Sequence, residues 1–293
     1  MKYKNSWRHH YIPVFYLKGF TGKTGKFYIY SKEKDRVINS QQSPKSYFFE
    51  KNRHTLLNLE NDLDDFIETE LYSSFDNYSS TAIIKLRNVP LSEFNDNVEL
   101  LSKIVLFING LIYRIPKYDE YHNKKIELGR KEYLLPIHDK HGRDVSYEFH
   151  IKNKTRDIYK YACRFSCSVR QSIPTPEEAR NWAIYTLPND YDNKYYLLSG
   201  DSPVLIDDIA KFKTEEETII APLTKSHFVI RSKQKLNQDI DALELLHRLN
   251  IGVIISSTKY VCSPEGNFLK KYIEYSERYD EKLLWNEIME LFI

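Results

Sequence analysis

Between Val98 and Ile115 the chain carries Val98, Leu101, Ile104, Val105, Ile108, Leu111, Ile112 and Ile115 at helical spacing, and Pro116 ends the pattern. Apolar residues recurring every three to four positions mark a helix. A face this broad has to be covered on several sides, so the spacing predicts a central helix with the rest of the chain wrapped around it. The stretch is too short and too polar to cross a bilayer. Asn109, Gly110 and Arg114 interrupt it, and a span needs roughly 20 apolar residues.

A second stripe precedes it. Leu59, Leu63, Phe66, Ile67, Leu71 and Phe75, continued by Ala82, Ile83 and Leu86, predict an amphipathic helix ending near Asn88 and Pro90. Ser92 is the expected N-cap of the central helix. Two helices joined by so short a link should lie antiparallel. Arg156 to Gln171 is expected to be a third helix, and Lys117 to Thr155 a polar stretch with a turn at Lys140-His141-Gly142-Arg143.

Both ends of the chain read as β-rich. Tyr11 to Val37 is expected to be β structure, with the turn Thr21-Gly22-Lys23-Thr24-Gly25 leading into the aromatic run Phe27-Tyr28-Ile29-Tyr30. That glycine pair lacks the strand before and the helix after that a phosphate loop requires. Further strands are expected at Trp182 to Leu187, Tyr195 to Ser199, Thr218 to Ile220, Phe228 to Ile230, Ile251 to Ser256 and Lys259 to Cys262. Helices are expected at Asp239 to Asn250 and Lys282 to Leu291. The fold class is therefore α+β, with β-rich N- and C-terminal parts packed around a central helical segment. A single domain over residues 1–293 is expected, with one weak internal boundary near 172–181 at Pro174-Thr175-Pro176.

Charge narrows the partners. With 43 basic and 41 acidic residues, net +2, no global field steers nucleic acid, so such a partner would need a local patch. The three cysteines, Cys163, Cys167 and Cys262, have neither disulfide-framework nor zinc-finger spacing. The polar start, Met1 to His10, lacks the apolar core of a signal peptide, and the cytoplasm is the expected location. Tyrosine dominates the aromatics, 23 against 3 Trp, which suits a core with many half-wet edges.

Standard catalytic motifs are absent, but an ordered set of short ones is present. His10-Tyr11-Ile12-Pro13, Phe15-Tyr16-Leu17 and Phe20 open it. Phe107-Ile108, Arg114-Ile115-Pro116, Ser199-Gly200-Asp201-Ser202-Pro203-Val204, Pro222-Leu223-Thr224, Leu249-Asn250 and Lys259-Tyr260-Val261 follow in order. This pattern resembles the mainly bacterial domain-of-unknown-function family 4238 over nearly the whole chain. Val14 stands where the family usually has glutamine, and Gly110 lies in a stretch where glutamine is expected. The resemblance implies no established reaction.

Three polar residues in those motifs form the candidate catalytic set: His10, Arg114 and Asp201. His10 would be general acid or base, since imidazole titrates near neutrality. Arg114 would clamp a phosphate or carboxylate through two parallel hydrogen bonds. Asp201 would orient the imidazole or ligate a divalent cation. Tyr11 and Ser202 are the flanking substrate-binding candidates. Each residue also has a bland reading. Asp201 fits a turn cap, Arg114 complements a helix C-terminus, and His10 could hydrogen-bond a carbonyl. Ranked lower are His9, on the opposite strand face from His10, and the acidic run Asp62, Asp64, Asp65, Glu68 and Glu70, read as a solvated helix face. Tyr11, Tyr16 and Phe20 read as core aromatics.

Two function classes remain open. One is a phosphodiester- or phosphate-directed hydrolase, nuclease-like, acting on nucleic acid or a phosphorylated small molecule, with a divalent cation as the candidate cofactor; a role in bacterial defence is implied only by the lineage of the family it resembles. The other is a non-catalytic ligand- or nucleic-acid-sensing protein.

Overall fold

A computed structural model of the protein describes residues 7–57, 63–188, 194–214, 216–237 and 239–292. At its centre is α4, Val98–Arg114, buried along almost its whole length. Its N-terminus is capped by Asn97, whose side chain accepts from the Leu100 N–H at 3.1 Å. Ser92 instead opens a separate one-turn helix, α3 (Ser92–Asn95), so the sequence places the cap one element too early. The helices α2 (Ser73–Leu86), α7 (Asp157–Ser172) and α8 (Pro176–Arg180) pack around α4.

The paired helices α2 and α4 run antiparallel. Asp76, in the first turn of α2, binds Arg114, in the last turn of α4. Their close approach explains Gly110. A methyl group there would sit 2.5 Å from Phe75 Cζ, so any larger residue requires the Phe75 ring to move. The start of the expected stripe differs. Leu63–Asp64 pairs with Leu56–Leu57 in a small ladder, and Ile67–Tyr72 winds as a π-helix that continues into α2. Leu59 and Asp62 lie outside the described residues.

Near the N-terminus, β1 (Arg8–His10) is followed by a helical segment, α1 (Val14–Leu17) and a 3-10 turn (Lys18–Phe20), rather than by a strand. His10 therefore ends a strand instead of preceding one. Tyr11, Tyr16 and Phe20 are fully buried, as their apolar neighbours require. Pro13 precedes α1 in extended backbone, the conformation from which Val14–Leu17 turns inward. The Tyr16 hydroxyl donates to the Pro222 carbonyl at 2.7 Å and accepts from Ser199 Oγ at 3.2 Å. Its ring packs on Phe107, 5.2 Å between centroids. Four of the short sequence motifs thus meet in one patch of core.

The rest of the N-terminal region is β structure. The Gly22 N–H donates to the Lys26 carbonyl, and Gly25 has φ +71°, a tight turn that feeds β2 (Tyr28–Ser31) and not a phosphate-binding helix. β2 pairs on one side with β3 (Arg36–Val37) and on the other with β12 (Tyr260–Ser263), which β8 (Ser199–Gly200) flanks in turn. Opposite ends of the chain therefore share a sheet. A second four-stranded antiparallel sheet orders β7 (Trp182–Thr186), β11 (His227–Arg231), β10 (Ile219–Pro222) and β9 (Leu205–Ile206).

Two expectations in the second half change. Ile251 to Ser256 is the end of α9 (Ala242–Ser256), not a strand. Its β-branched run is buried, and periodicity cannot separate a buried helix from a buried strand. The polar stretch after Lys117 contains α5 (Asp119–Glu127) and α6 (Ser146–Asn153) beside the expected turn, where Gly142 has φ +79°. Helices α10 (Gly266–Ser276) and α11 (Glu281–Met289) close the chain. The architecture is α+β, and no described helix is long and apolar enough to cross a membrane.

Candidate functional site

The site grows from a strand pair and two turns. β1 pairs antiparallel with β4 (Phe49–Lys51), with His9 opposite Glu50 and His10 opposite Phe49. Alternation along β1 sends His9 inward, where it is fully buried, and leaves His10 on the other face, half-buried against the Phe49 ring. After β4 the chain turns at Asn52, φ +52°, a conformation that asparagine tolerates better than most residues. That turn carries Arg53 and His54 back beneath β1, both buried.

The two histidines then lock each other. The His54 backbone N–H donates to His9 Nδ1 at 2.9 Å, and the imidazoles stack at 5.7 Å with 13° between planes. The other ring nitrogen of His9, Nε2, lies 3.5 Å from Asp65 Oδ1. On its far side His54 packs on Tyr72, and its Nδ1 is 2.8 Å from Glu68 Oε2. Because a carboxylate only accepts, Nδ1 is the protonated nitrogen of His54. Burial pushes His54 down to about 4 against the opposing pull of Glu68, so its ring is neutral at pH 7. Burial works to raise the Glu68 carboxyl, but the His54 hydrogen bond and the Arg114 charge outweigh it and hold it below the usual range.

The π-helical winding of Ile67–Tyr72 makes this geometry available. It places Glu68 and Tyr72 over the histidines instead of letting Glu68 follow an exposed α-helical stripe. Such segments are rare and recur at functional sites. Asp65 is anchored just before it by the Thr55 hydroxyl at 2.7 Å, while Asp65 Oδ2 is buried and has no hydrogen-bond partner.

Arginines line the other side. Arg114 Nη1 binds both oxygens of Asp76 at 2.8 and 3.0 Å, and its guanidinium lies 4.4 Å from the Tyr72 ring centroid. Arg114 Nη2 is 4.0 Å from Glu68 Oε1, and its buried Nε–H has no partner. Burial works against its charge, but Asp76 and Glu68 outweigh burial and raise its pKa. Arg53 bridges Glu50 at 2.7 Å and Asp119 at 2.6 Å, and also donates to the Arg114 carbonyl at the end of α4. Arg164 of α7 completes the set through Asp119 and Asn123.

Of the sequence candidates, His10 and Arg114 flank this centre, and the charges of Glu68 and Arg114 both act on His10. Burial lowers the His10 pKa, with Glu68 opposing, and its Nε2 is buried without a partner. Asp201 is not brought into contact with either. Its carboxylate accepts from the N–H groups of Thr258, Lys259 and Tyr260 at 2.9, 3.0 and 3.2 Å, and from the Thr258 hydroxyl. The turn-cap reading describes those contacts. Its link to the centre is indirect, because Lys259 in the capped segment pairs with Glu50 at 2.7 Å, and Glu50 holds Arg53.

Tyr11 is fully buried with an unpartnered hydroxyl, and Ser202 lies buried beside the Tyr118 phenol. Neither touches the histidine pair through a recorded hydrogen bond. The residues ranked low, His9, Asp65 and Glu68, are central, together with His54 and Arg53. The adjacency His9-His10 was the available signal; the partner turn at Arg53-His54 lies too far along the chain to be read with it. One ligand atom each from His9, His54 and Glu68 falls within 4.8 Å of the others, a donor set able to hold a metal ion.

A family model described as "Protein of unknown function (DUF4238)" matches residues 8–262. The chain belongs to this family. The matched span starts at Arg8, one residue before His9, and includes every residue of the centre. No curated protein and no solved structure matches the chain.

Proposed function

We propose that the protein is a hydrolase directed at phosphate esters, with the phosphodiester bonds of nucleic acid as the first substrates to test. The reading rests on one observation: two stacked histidines, Glu68 and the Nε–Nη2 edge of Arg114 converge where β1, the Arg53-His54 turn and the π-helical segment meet. Phosphoester hydrolysis needs positive charge at the non-bridging oxygens and a group to take a proton from water. Arg114 is pinned by Asp76 through Nη1, and its other edge, buried with Nε unpartnered and facing Glu68, is the one a phosphate would take once that edge is opened.

In this reading water attacks phosphorus, its proton passes to the unpartnered Nε2 of His10, and the phosphorus–oxygen bond to the leaving group breaks. The leaving oxygen then takes up a proton. Asp201 acts at a distance as a positioning residue, through the chain from Lys259 to Glu50 to Arg53. The setting assumed is the bacterial cytoplasm, with nucleic acid or a phosphorylated small molecule as partner.

A second reading, ligand or nucleic-acid sensing without turnover, draws on a different observation. Arg53, Arg114 and Arg164 each already hold a carboxylate, as braces of a binding fold would. The test is hydrolysis of single-stranded RNA, single-stranded DNA and bis(p-nitrophenyl) phosphate, with Mg2+, Mn2+ or Zn2+ supplied. Wild type should cleave at least one, while folded His10→Ala and Arg114→Lys proteins should not. Cleavage of none by folded wild type, or equal cleavage by all three proteins, rejects the hydrolase.

A further inference from the structure

Asp65 and Glu68 each lie beside a buried imidazole, Asp65 at His9 and Glu68 at His54, in poorly hydrated surroundings. The Asp65 side chain is 3% exposed and that of Glu68 15%. Neither has a close arginine partner. Arg114 stands 4.0 Å from Glu68, whereas Arg53, Arg114 and Arg164 spend their short contacts on Glu50, Asp76 and Asp119. Buried negative charge is stable when a cation shares it. His54 is held by Glu68 and the Tyr72 ring, and His9 offers Nδ1 to an ion once the hydrogen bond it now accepts from the His54 N–H is released, with Nε2 turned to Asp65. Asp65 Oδ1 lies 3.5 Å from His9 Nε2, and Asp65 Oδ2 is buried without a hydrogen-bond partner.

We propose that His9, His54 and Glu68 bind a divalent transition-metal ion, with Asp65 outside the ligand set as the carboxylate beside the His9 ring. The inference adds a metal to the centre described above, and it stands whether or not that centre hydrolyses phosphate esters. Two imidazoles and carboxylate oxygen select zinc, manganese, iron or cobalt over magnesium or calcium, which prefer all-oxygen shells.

The fit can be checked by size. At a metal–nitrogen distance of about 2.0–2.1 Å, tetrahedral ligands stand roughly 3.3 Å apart. The three ligand atoms now lie within 4.8 Å of one another, so binding requires a contraction of side-chain rotation size. His54 Nδ1 already reaches to 2.8 Å from Glu68, and the ion replaces the proton between them, shared by the imidazole and the carboxylate.

The test uses the full chain, purified without a histidine tag and stripped with a chelator. Zn2+, Mn2+, Co2+ and Mg2+ are added separately, followed by desalting and elemental analysis, with thermal melts alongside. The expected result is about one equivalent of transition metal per chain, a raised melting temperature and, with Co2+, a visible absorption band from nitrogen ligation. Mg2+ should give none of these. His54→Ala should abolish retention. Thr55→Val, which only frees Asp65, should weaken it about 10–100-fold.

If His54→Ala does not fold, Thr55→Val and the wild-type titration still decide. Folded wild-type protein that retains no transition metal and shows no melting shift overturns the proposal, as does undiminished retention by His54→Ala. Metal retention without cleavage rejects only the hydrolase. Cleavage by folded protein that retains no metal after the titration rejects only the metal.

Discussion

Replacing Asp201 separates a residue that braces from one that reacts. Its two oxygens accept four hydrogen bonds, three from backbone N–H groups of Thr258, Lys259 and Tyr260, and the residue is 2% exposed. Hydrogen bonds to a charged group contribute about 1.5–3 kcal/mol each, but they act as a unit, so simple addition overshoots. Asp201→Ala leaves those donors without the carboxylate and should cost about 3–5 kcal/mol, the scale of breaking a buried charged network. Asp201→Asn keeps one carbonyl oxygen for Thr258 and Tyr260 but turns an amide N–H toward Lys259, so roughly 1–3 kcal/mol is expected. Urea unfolding followed by circular dichroism gives both values through the midpoint at constant slope. The order Ala, then Asn, then wild type in rising stability is the expected outcome. Unchanged stability in Asp201→Ala, together with complete loss of cleavage, would show that Asp201 acts directly in the reaction and refute the bracing argument.

Other consequences are equally open to measurement. Gly200→Ala would place a methyl group 2.0 Å from Ser257 Oγ and 3.0 Å from the Tyr260 carbonyl. Overpacking of that kind should cost about 1–3 kcal/mol by urea unfolding, and no cost would mean that the loop is looser than described. Arg114→Leu strands Asp76 in a mostly buried place and should destabilise by about 3–5 kcal/mol, whereas a stable variant would remove the case for a structural ion pair. Burial pushes His122 down to about 3, with its ring held by Ile112 and Tyr133. Its unfolded form binds a proton near pH 6.5 while the folded form does not, so stability is full above that pH and falls as pH drops toward 3. The slope is on the order of 1 kcal/mol per unit. Urea midpoints at pH 7, 6 and 5 should show a smaller fall in His122→Gln than in wild type, and equal falls would contradict the assignment.

What the sequence disclosed was mostly local. The stripe of α4 was legible because its apolar residues keep one helical period from Val98 to Ile112, and its breaker Pro116 follows directly. The end of α9 was not legible, because Ile251, Gly252, Val253 and Ile254 are all buried and the polar side that would reveal a helical period is missing. His9 and His10 were correctly set on opposite faces by strand alternation. Which face turns inward depends on the Arg53-His54 turn some 45 residues away, a contact no local pattern encodes. Glu68 belongs to an acidic run that reads as solvated on an α-helix. Its π-helical setting rotates it over the histidines. Asp201 sat in a motif as prominent as that of His10, but motif prominence does not distinguish a loop cap from a reactive group.

The central claim is that one compact centre holds both a metal ion and a phosphate. The most direct measurement is a crystal of the full chain soaked in Mn2+ and inorganic phosphate, read by anomalous scattering. The account predicts a manganese peak among His9, His54 and Glu68, with phosphate oxygens on the Nε–Nη2 edge of Arg114. Manganese and phosphate bound elsewhere, with the His9–His54–Glu68 geometry intact and neither species in it, would contradict the account.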